Sequence, residues 1–230
     1  LDCDYEFFSA IDGRSQSHPL FDRYDDRLRR RIRRKPLSGG ELGCWASHFI
    51  LWQRCVELDH PVVVMEDDVE ITAQFPAAIT QAKKLITQIP YLRLAGTHLY
   101  RRPYNVISEA GEFSLVDHIR GPAGTLCYVI QPAAAQKFID HASKWFLAVD
   151  DYMDRYWVHG VDCFSLMPFP VLVGDSKSDI VRFKKEKISL WLKLRQDINR
   201  LTAVFGRRLY RFKLKMRRKR SRNWQDGING

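Results

Sequence analysis

Three consecutive carboxylates, Glu66, Asp67 and Asp68, follow directly on the apolar run Val62-Val63-Val64-Met65. Like charges set this close repel one another, and a protein that gathers them commonly supplies a cation. Oxygen-only ligands suit magnesium or manganese, with a substrate diphosphate completing the shell. The competing account is plainer: acids after a strand also serve as helix caps and solvated turn residues.

Such a cluster needs a strand end to present it, and the surrounding pattern supplies one. Leu42, Trp45, Phe49, Trp52 and Val56 step by three and four, the spacing of one helical face. Ser38 stands three residues before Glu41, which predicts a capping box at the start of that helix, and His60-Pro61 ends it. Val62 to Met65 then reads as a short buried strand. Phe75 to Gln88 predicts a helix with Pro76 in its first turn, and Tyr91 to Ala95 the next strand. Thr125 to Ile130 is a strand entered through Gly121-Pro122-Ala123-Gly124, and Pro132 opens a helix to about His141. Val149 to Val158 predicts a short helix, and Cys163 to Val173 an extended stretch. Alternating strands and helices imply an α/β fold with a mostly parallel, doubly wound sheet, whose ligands gather beyond the carboxyl ends of the strands.

The charge is unevenly placed. Of the net +10, residues 182–222 carry +15, from 17 Lys/Arg against Glu186 and Asp197, which leaves −5 for the rest. A mildly acidic body with a basic tail is unlike a surface built throughout for nucleic acid. From Ile188 the residues Trp191, Leu194, Ile198, Leu201, Phe205, Leu209, Phe212 and Met216 step by three and four, with basic residues between them. That predicts a basic amphipathic C-terminal helix, with a possible break at Gly206. Arg27 to Lys35 holds seven Lys/Arg in nine positions. Five widely spaced cysteines without a C-x-x-C pair read as reduced thiols rather than a disulfide frame or zinc cluster. No run of 18 apolar residues occurs.

The block from Leu37-Ser38-Gly39-Gly40-Glu41-Leu42-Gly43-Cys44 through Ser47-His48 and Leu51-Trp52 to Glu66-Asp67-Asp68-Val69 resembles glycosyltransferase family 25. That family includes bacterial lipooligosaccharide galactosyltransferases and related glucosyltransferases. Tyr5-Glu6-Phe7-Phe8 with Ala10-Ile11-Asp12-Gly13, and later Gly124-Thr125, Tyr128-Val129-Ile130, Val149-Asp150 and Ser178-Asp179-Ile180, fall where similar family segments lie. The resemblance covers about residues 5 to 181. It implies a GT-A-like domain over 1–181, followed by the basic tail over 182–230. A family member would begin with a further strand, so upstream residues are expected before the strand-like Tyr5-Glu6-Phe7-Phe8.

The resemblance further implies a UDP-sugar donor, a divalent metal (manganese or magnesium) and transfer with inversion. Asp68 would be a metal ligand, and Glu66 would lie at the metal or near the ribose, with Asp67 in either place. Ser47, His48, Gly124, Thr125, Ser178 and Asp179 become candidate donor contacts. Inversion needs a base for the acceptor hydroxyl, for which Asp150 is the candidate and Asp151 the second. Asp150 could equally cap the helix that follows it. The implied function is transfer of a hexose, galactose first, to a lipooligosaccharide-type glycan. Residues 188–222 would dock on an anionic membrane, placing the protein in the cytoplasm on the inner face of a bacterial inner membrane. Two other readings stay open: a metal-dependent nucleotidyl or phosphoryl transferase, which would lack a glycine-rich phosphate loop, and a basic nucleic-acid-binding module.

Overall fold

The capping box is present. Ser38 Oγ accepts the Glu41 N–H at 3.2 Å, and Glu41 Oε2 accepts the Ser38 N–H at 2.7 Å. It opens the 20-residue helix α2 (Gly39–Leu58), preceded by a 3-10 turn (Pro19–Arg23) and by α1 (Asp26–Arg33). The structure is a computed structural model that describes residues 4–15, 17–33, 35–97, 103–174 and 190–220. After α2 come β1 (Val62–Met65), β2 (Val69–Ile71), α3 (Phe75–Leu85), β3 (Tyr91–Arg93), β4 (Tyr104–Ala110) and β5 (Phe113–His118). They are followed by β6 (Cys127–Ile130), α4 (Pro132–His141), α5 (Val149–Met153), α6 (Tyr156–His159), β7 (Phe164–Met167), β8 (Val171–Val173) and α7 (Leu190–Arg220).

The main sheet has the order β1-β6-β3-β7-β5-β4, and β2 with β8 forms a separate pair. The mostly parallel sheet expected from the sequence is corrected here to a mixed one. Among the described strands of this sheet only β3 and β7 pair parallel; β1/β6, β6/β3, β7/β5 and β5/β4 are antiparallel. The alternation of strands and helices identified the elements but not their neighbours. β1 and β3 do run in the same direction, but β6 lies between them and opposes both. The hairpin β4–β5, which reverses at Gly111 with φ +64°, was not anticipated, and its strands form the far edge of the sheet.

Alternation within the strands divides the core between two faces. Tyr91, Tyr128 and Ile130 face the layer of α2, α4 and α5, where Trp45, Trp52, Phe138, Trp145 and Tyr152 interlock. Trp45 stacks on Trp145 at 4.8 Å and 12°. Leu92, Cys127, Val129 and Leu166 face the other way, onto Phe75, Ala78, Ala82 and Leu85 of α3. Helices therefore cover both sides of the sheet. The described cysteines are free.

Three other sequence expectations change. Residues 4–12 have no regular secondary structure, and Tyr5 and Phe7 are exposed, so no strand forms there. Val149 to Val158 is two short helices, α5 and α6, separated at Asp154-Arg155. α7 runs through Gly206 without a break, and that glycine allows a close approach to Trp157. A Cβ on it would lie 2.9 Å from Trp157 Cδ1. Tyr210 packs on Tyr156, and the Arg211 guanidinium donates to both Asp117 carboxylate oxygens and to the His118 carbonyl. Leu194, Ile198, Leu201, Phe205, Leu209, Phe212 and Met216 remain exposed. No described helix is long and apolar enough to cross a membrane.

Glycines set how closely the N-terminal segment approaches α2. A Cβ on Gly43 would meet Ile11 O at 2.1 Å, whereas one on Gly40 would meet nothing within 4 Å. Gly40→Ala should therefore raise stability by up to about 1 kcal/mol through helix propensity. Gly43→Ala should lower it by about 1–3 kcal/mol through backbone overlap. Urea denaturation of the two variants tests this, and equal midpoints would contradict the close contact.

Candidate active site

Antiparallel pairing of β1 with β6 places the end of one strand beside the start of the other, with Met65 opposite Cys127. The residues just beyond them, Glu66 on one side and the 121–125 loop on the other, must then meet. The Glu66 N–H donates to Leu126 O at 2.8 Å, and the Thr125 hydroxyl donates to Glu66 Oε1. Two residues on, Asp68 O accepts the Gly174 N–H at 3.0 Å, which fixes the acidic segment from its far side.

Glu66 is turned inward. Its Oε1 also lies 3.3 Å from His48 Nε2, whereas Oε2 has no hydrogen-bond partner among the described residues. Burial alone would raise this carboxyl. His48, then Thr125 and the Arg93 charge, outweigh burial and hold it below the ordinary carboxylate range. Asp68 differs: burial first, then the charges of Glu66 and Asp67, push its carboxyl up, and among the described residues the buried Asp68 Oδ1 has no hydrogen-bond partner. A carboxylate oxygen left this way fits a cation ligand, because a metal would supply the missing positive charge. Asp67 is exposed beside it. Of the two carboxylates expected at a metal, Asp68 is therefore the better placed.

The 121–124 loop is held by acids of the helix pair behind it. Asp150 Oδ2 accepts the Gly124 N–H and Asp154 Oδ2 the Ala123 N–H, each at 3.1 Å. Ala123 and Gly124 both have positive φ, 60° and 73°, a conformation that costs an alanine about 1 kcal/mol or more. A Cβ on Gly121 would overlap the Asp154 carboxylate at 1.8 Å. The Gly124 N–H, expected to face a donor, is thus engaged by Asp150. Asp150 lies in the first turn of α5, whose N-cap is Ala148, and its Oδ1 accepts the Asp151 N–H at 2.7 Å. Asp151 instead pairs with Arg33 at 2.7 Å.

Other expected contacts are distributed differently. Ser47 is buried, and its Oγ accepts the Ile11 N–H at 2.9 Å, so it secures the N-terminal segment. Ser178 and Asp179 lie outside the described residues. Cys44, His48 and Glu66 bring one ligand-type atom each within 4.8 Å of the others. Burial raises the Cys44 thiol, and His48 and Glu66 already engage each other, so a metal there would have to displace both arrangements.

The sequence reading missed Arg93 and Asp154. Arg93 is fully buried, its Nη2 3.4 Å from Asp154 Oδ1, and its Nε and Nη1 have no hydrogen-bond partner among the described residues. A cation in the otherwise apolar Tyr91-Leu92-Arg93-Leu94-Ala95 was the available signal, since a buried charge implies a partner. Asp154, one helical turn after Asp150, was the matching one.

The chain is thus an α/β protein with a carboxylate-rich site where two sheet strands meet. It belongs to glycosyltransferase family 25: residues 1–153 match the family described as "Glycosyltransferase family 25 (LPS biosynthesis protein)". It is 32% identical over 93 residues to an Aedes aegypti "Glycosyltransferase 25 family member", covering 35% of this chain and 14% of that protein. Over 129 residues it is 26% identical to human "Procollagen galactosyltransferase 2", covering 52% and 20%. A bovine relative, 26% identical over 153 residues (58% and 25%), bears the name "Probable inactive glycosyltransferase 25 family member 3". The chain therefore spans a quarter or less of the length of these curated relatives.

Removing the Asp154 carboxylate should unfold this region first. Asp154→Ala leaves Arg93 without its counter-charge and the Ala123 N–H without its acceptor, a loss of about 3–5 kcal/mol. Chemical denaturation measures it, and a loss under about 1 kcal/mol would mean the pair does not hold the loop.

Proposed function

We propose that this chain carries the donor and catalytic residues of an inverting hexosyltransferase that moves galactose from UDP-galactose to a lipooligosaccharide-type glycan. The observation that carries the reading is the convergence of Glu66, Asp68, Thr125 and Asp150 at one sheet end in a family 25 chain. The human relative's name supports galactose, and the family's description supports the lipopolysaccharide acceptor.

Asp68, with Asp67 beside it, would hold manganese or magnesium. When bound, such an ion offsets negative charge gathering on a departing diphosphate. Glu66 keeps Oε2 for a donor hydroxyl, since Oε1 is already engaged by Thr125 and His48. Asp150 is the proposed base. Backbone N–H groups fix both of its oxygens in orientation, and each oxygen retains a lone pair for a proton. It would take the proton from the acceptor hydroxyl as that oxygen bonds to the anomeric carbon and the bond to UDP breaks. Asp151, paired with Arg33, is less free to do so.

The variants separate these roles. With manganese present, Asp68→Ala should lose most UDP affinity by calorimetry, whereas Asp150→Asn should keep it and lose at least about 100-fold in turnover. Unchanged UDP affinity in Asp68→Ala would remove the metal assignment, and near-normal turnover in Asp150→Asn would remove the base. A screen of UDP-sugars against glycan and collagen-type acceptors tests the substrates.

The tail is proposed to rest on an anionic membrane, in a bacterium the cytoplasmic face of the inner membrane. Its exposed apolar stripe is flanked by basic residues, and α1, which packs against α7, adds exposed Arg27, Arg30 and Arg31. Each such cation near an anionic surface contributes about 1 kcal/mol. Full-length chain should float with phosphatidylglycerol vesicles at low salt and be released at high salt. Phe205→Ser with Phe212→Ser, both exposed, should weaken flotation without unfolding the body. No flotation of the unaltered chain at low salt would rule out the surface.

A further inference from the structure

Behind the acidic segment a line of hydrogen bonds runs through the core. Trp52 Nε1 donates to Tyr128 Oη at 3.0 Å, Tyr128 Oη lies 2.9 Å from His48 Nδ1, and His48 Nε2 lies 3.3 Å from Glu66 Oε1. Trp52 and Tyr128 are fully buried and His48 nearly so. The direction of the first bond settles the others. An indole N–H can only donate, so Tyr128 receives there and must place its own proton elsewhere. His48 Nδ1 is the acceptor within reach, and a buried hydroxyl left without one would be costly. Nδ1 then carries a lone pair, and the ring hydrogen sits on Nε2, aimed at Glu66. The Nδ1–H form would leave the buried Tyr128 proton without an acceptor and set a bare Nε2 lone pair against the Glu66 carboxylate.

We infer that His48 is a positioning residue whose Nε2–H tautomer, imposed by Trp52 through Tyr128, orients Glu66 so that Oε2 faces the donor. In this arrangement His48 touches no substrate. It acts from α2, Tyr128 from β6 and Glu66 from the end of β1, so the orientation depends on all three elements being in register. The Thr125 hydroxyl, on the same Oε1, adds a second constraint on the carboxylate from the loop side. The functional part of this inference rests on the proposed donor role of Glu66; the tautomer itself does not.

Nitrogen-15 spectra of the full chain with labelled histidine read the tautomer directly, His48 being assigned by the signal lost in His48→Gln. The expected result is protonation at Nε2 alone. A wild-type ring protonated at Nδ1 alone would overturn the inference, whatever the chain's activity. In Tyr128→Phe the preference should weaken, and an unaltered His48 pattern there would show that Tyr128 does not impose it. Kinetics test the consequence. His48→Leu, which cannot donate, should lose about 10- to 100-fold in kcat/KM for the donor, the scale of one lost hydrogen bond to a charged group. Gln can place an N–H near the position of Nε2, so His48→Gln should recover part of that loss. Equal losses in Leu and Gln variants that fold would overturn the positioning role. Failure of every UDP-sugar as donor, with the Nε2 tautomer observed, would instead count against the proposed function and leave the hydrogen-bond line standing.

Discussion

The antiparallel register of β1 on β6 is the constraint from which the site follows. With Met65 opposite Cys127, whatever leaves β1 and whatever enters β6 emerge together at one end of the sheet. Had β6 run parallel to β1, the 121–125 loop would lie at the opposite end from Glu66, some four residues of strand away. The acidic segment gains a neighbour without a long excursion of chain. The small β2–β8 pair does similar work on the other side, since it brings Gly174 against the Asp68 carbonyl. Two short ladders therefore hold three consecutive acids whose mutual repulsion would otherwise spread them.

Electrostatics inside the body are arranged around a buried cation. Arg93 reaches Asp154, and its field extends to Glu66, where it helps keep that carboxyl ionised. Asp154 in turn holds the strained Ala123 through its N–H. A buried ion pair is an uncertain source of stability, because desolvation opposes the attraction. Here it links the sheet, the helix behind it and the loop in front, so its contribution is to geometry as much as to free energy. The stacked Trp45 and Trp145, with Trp52 beside them, give this polar centre a rigid apolar backing.

Much of this was legible in the residues. The capping box at Ser38, the β1 run and the Pro-initiated helices are local signals, and each appears within a few residues of its expected place. Glu66, Thr125 and Asp150 were named, and they do converge on one sheet end. Strand order was not legible, because an apolar run records burial and not which strand lies beside it. The β4–β5 hairpin escaped because its first strand is largely exposed and so lacks a buried alternating face. The partners of Ser47 and Gly124 escaped for a different reason. A hydroxyl or backbone N–H carries no mark of its partner, and both were engaged by distant segments, Ile11 and Asp150.

The attachment of α7 has a mechanical consequence. Its 31 residues form a rod about 46 Å long at 1.5 Å per residue. The contacts of Gly206, Tyr210 and Arg211 grip it past its midpoint, and α1 packs against it as well. A rod clamped there behaves as a beam with two unequal arms, the longer toward Leu190. A force applied along the long arm acts at the clamp with leverage, and Trp157 and Asp117, which receive it, sit on the same body as Asp150. Whatever engages the rod can therefore act on the body through these contacts, and their stiffness determines how much tilt reaches the sheet end that carries Glu66.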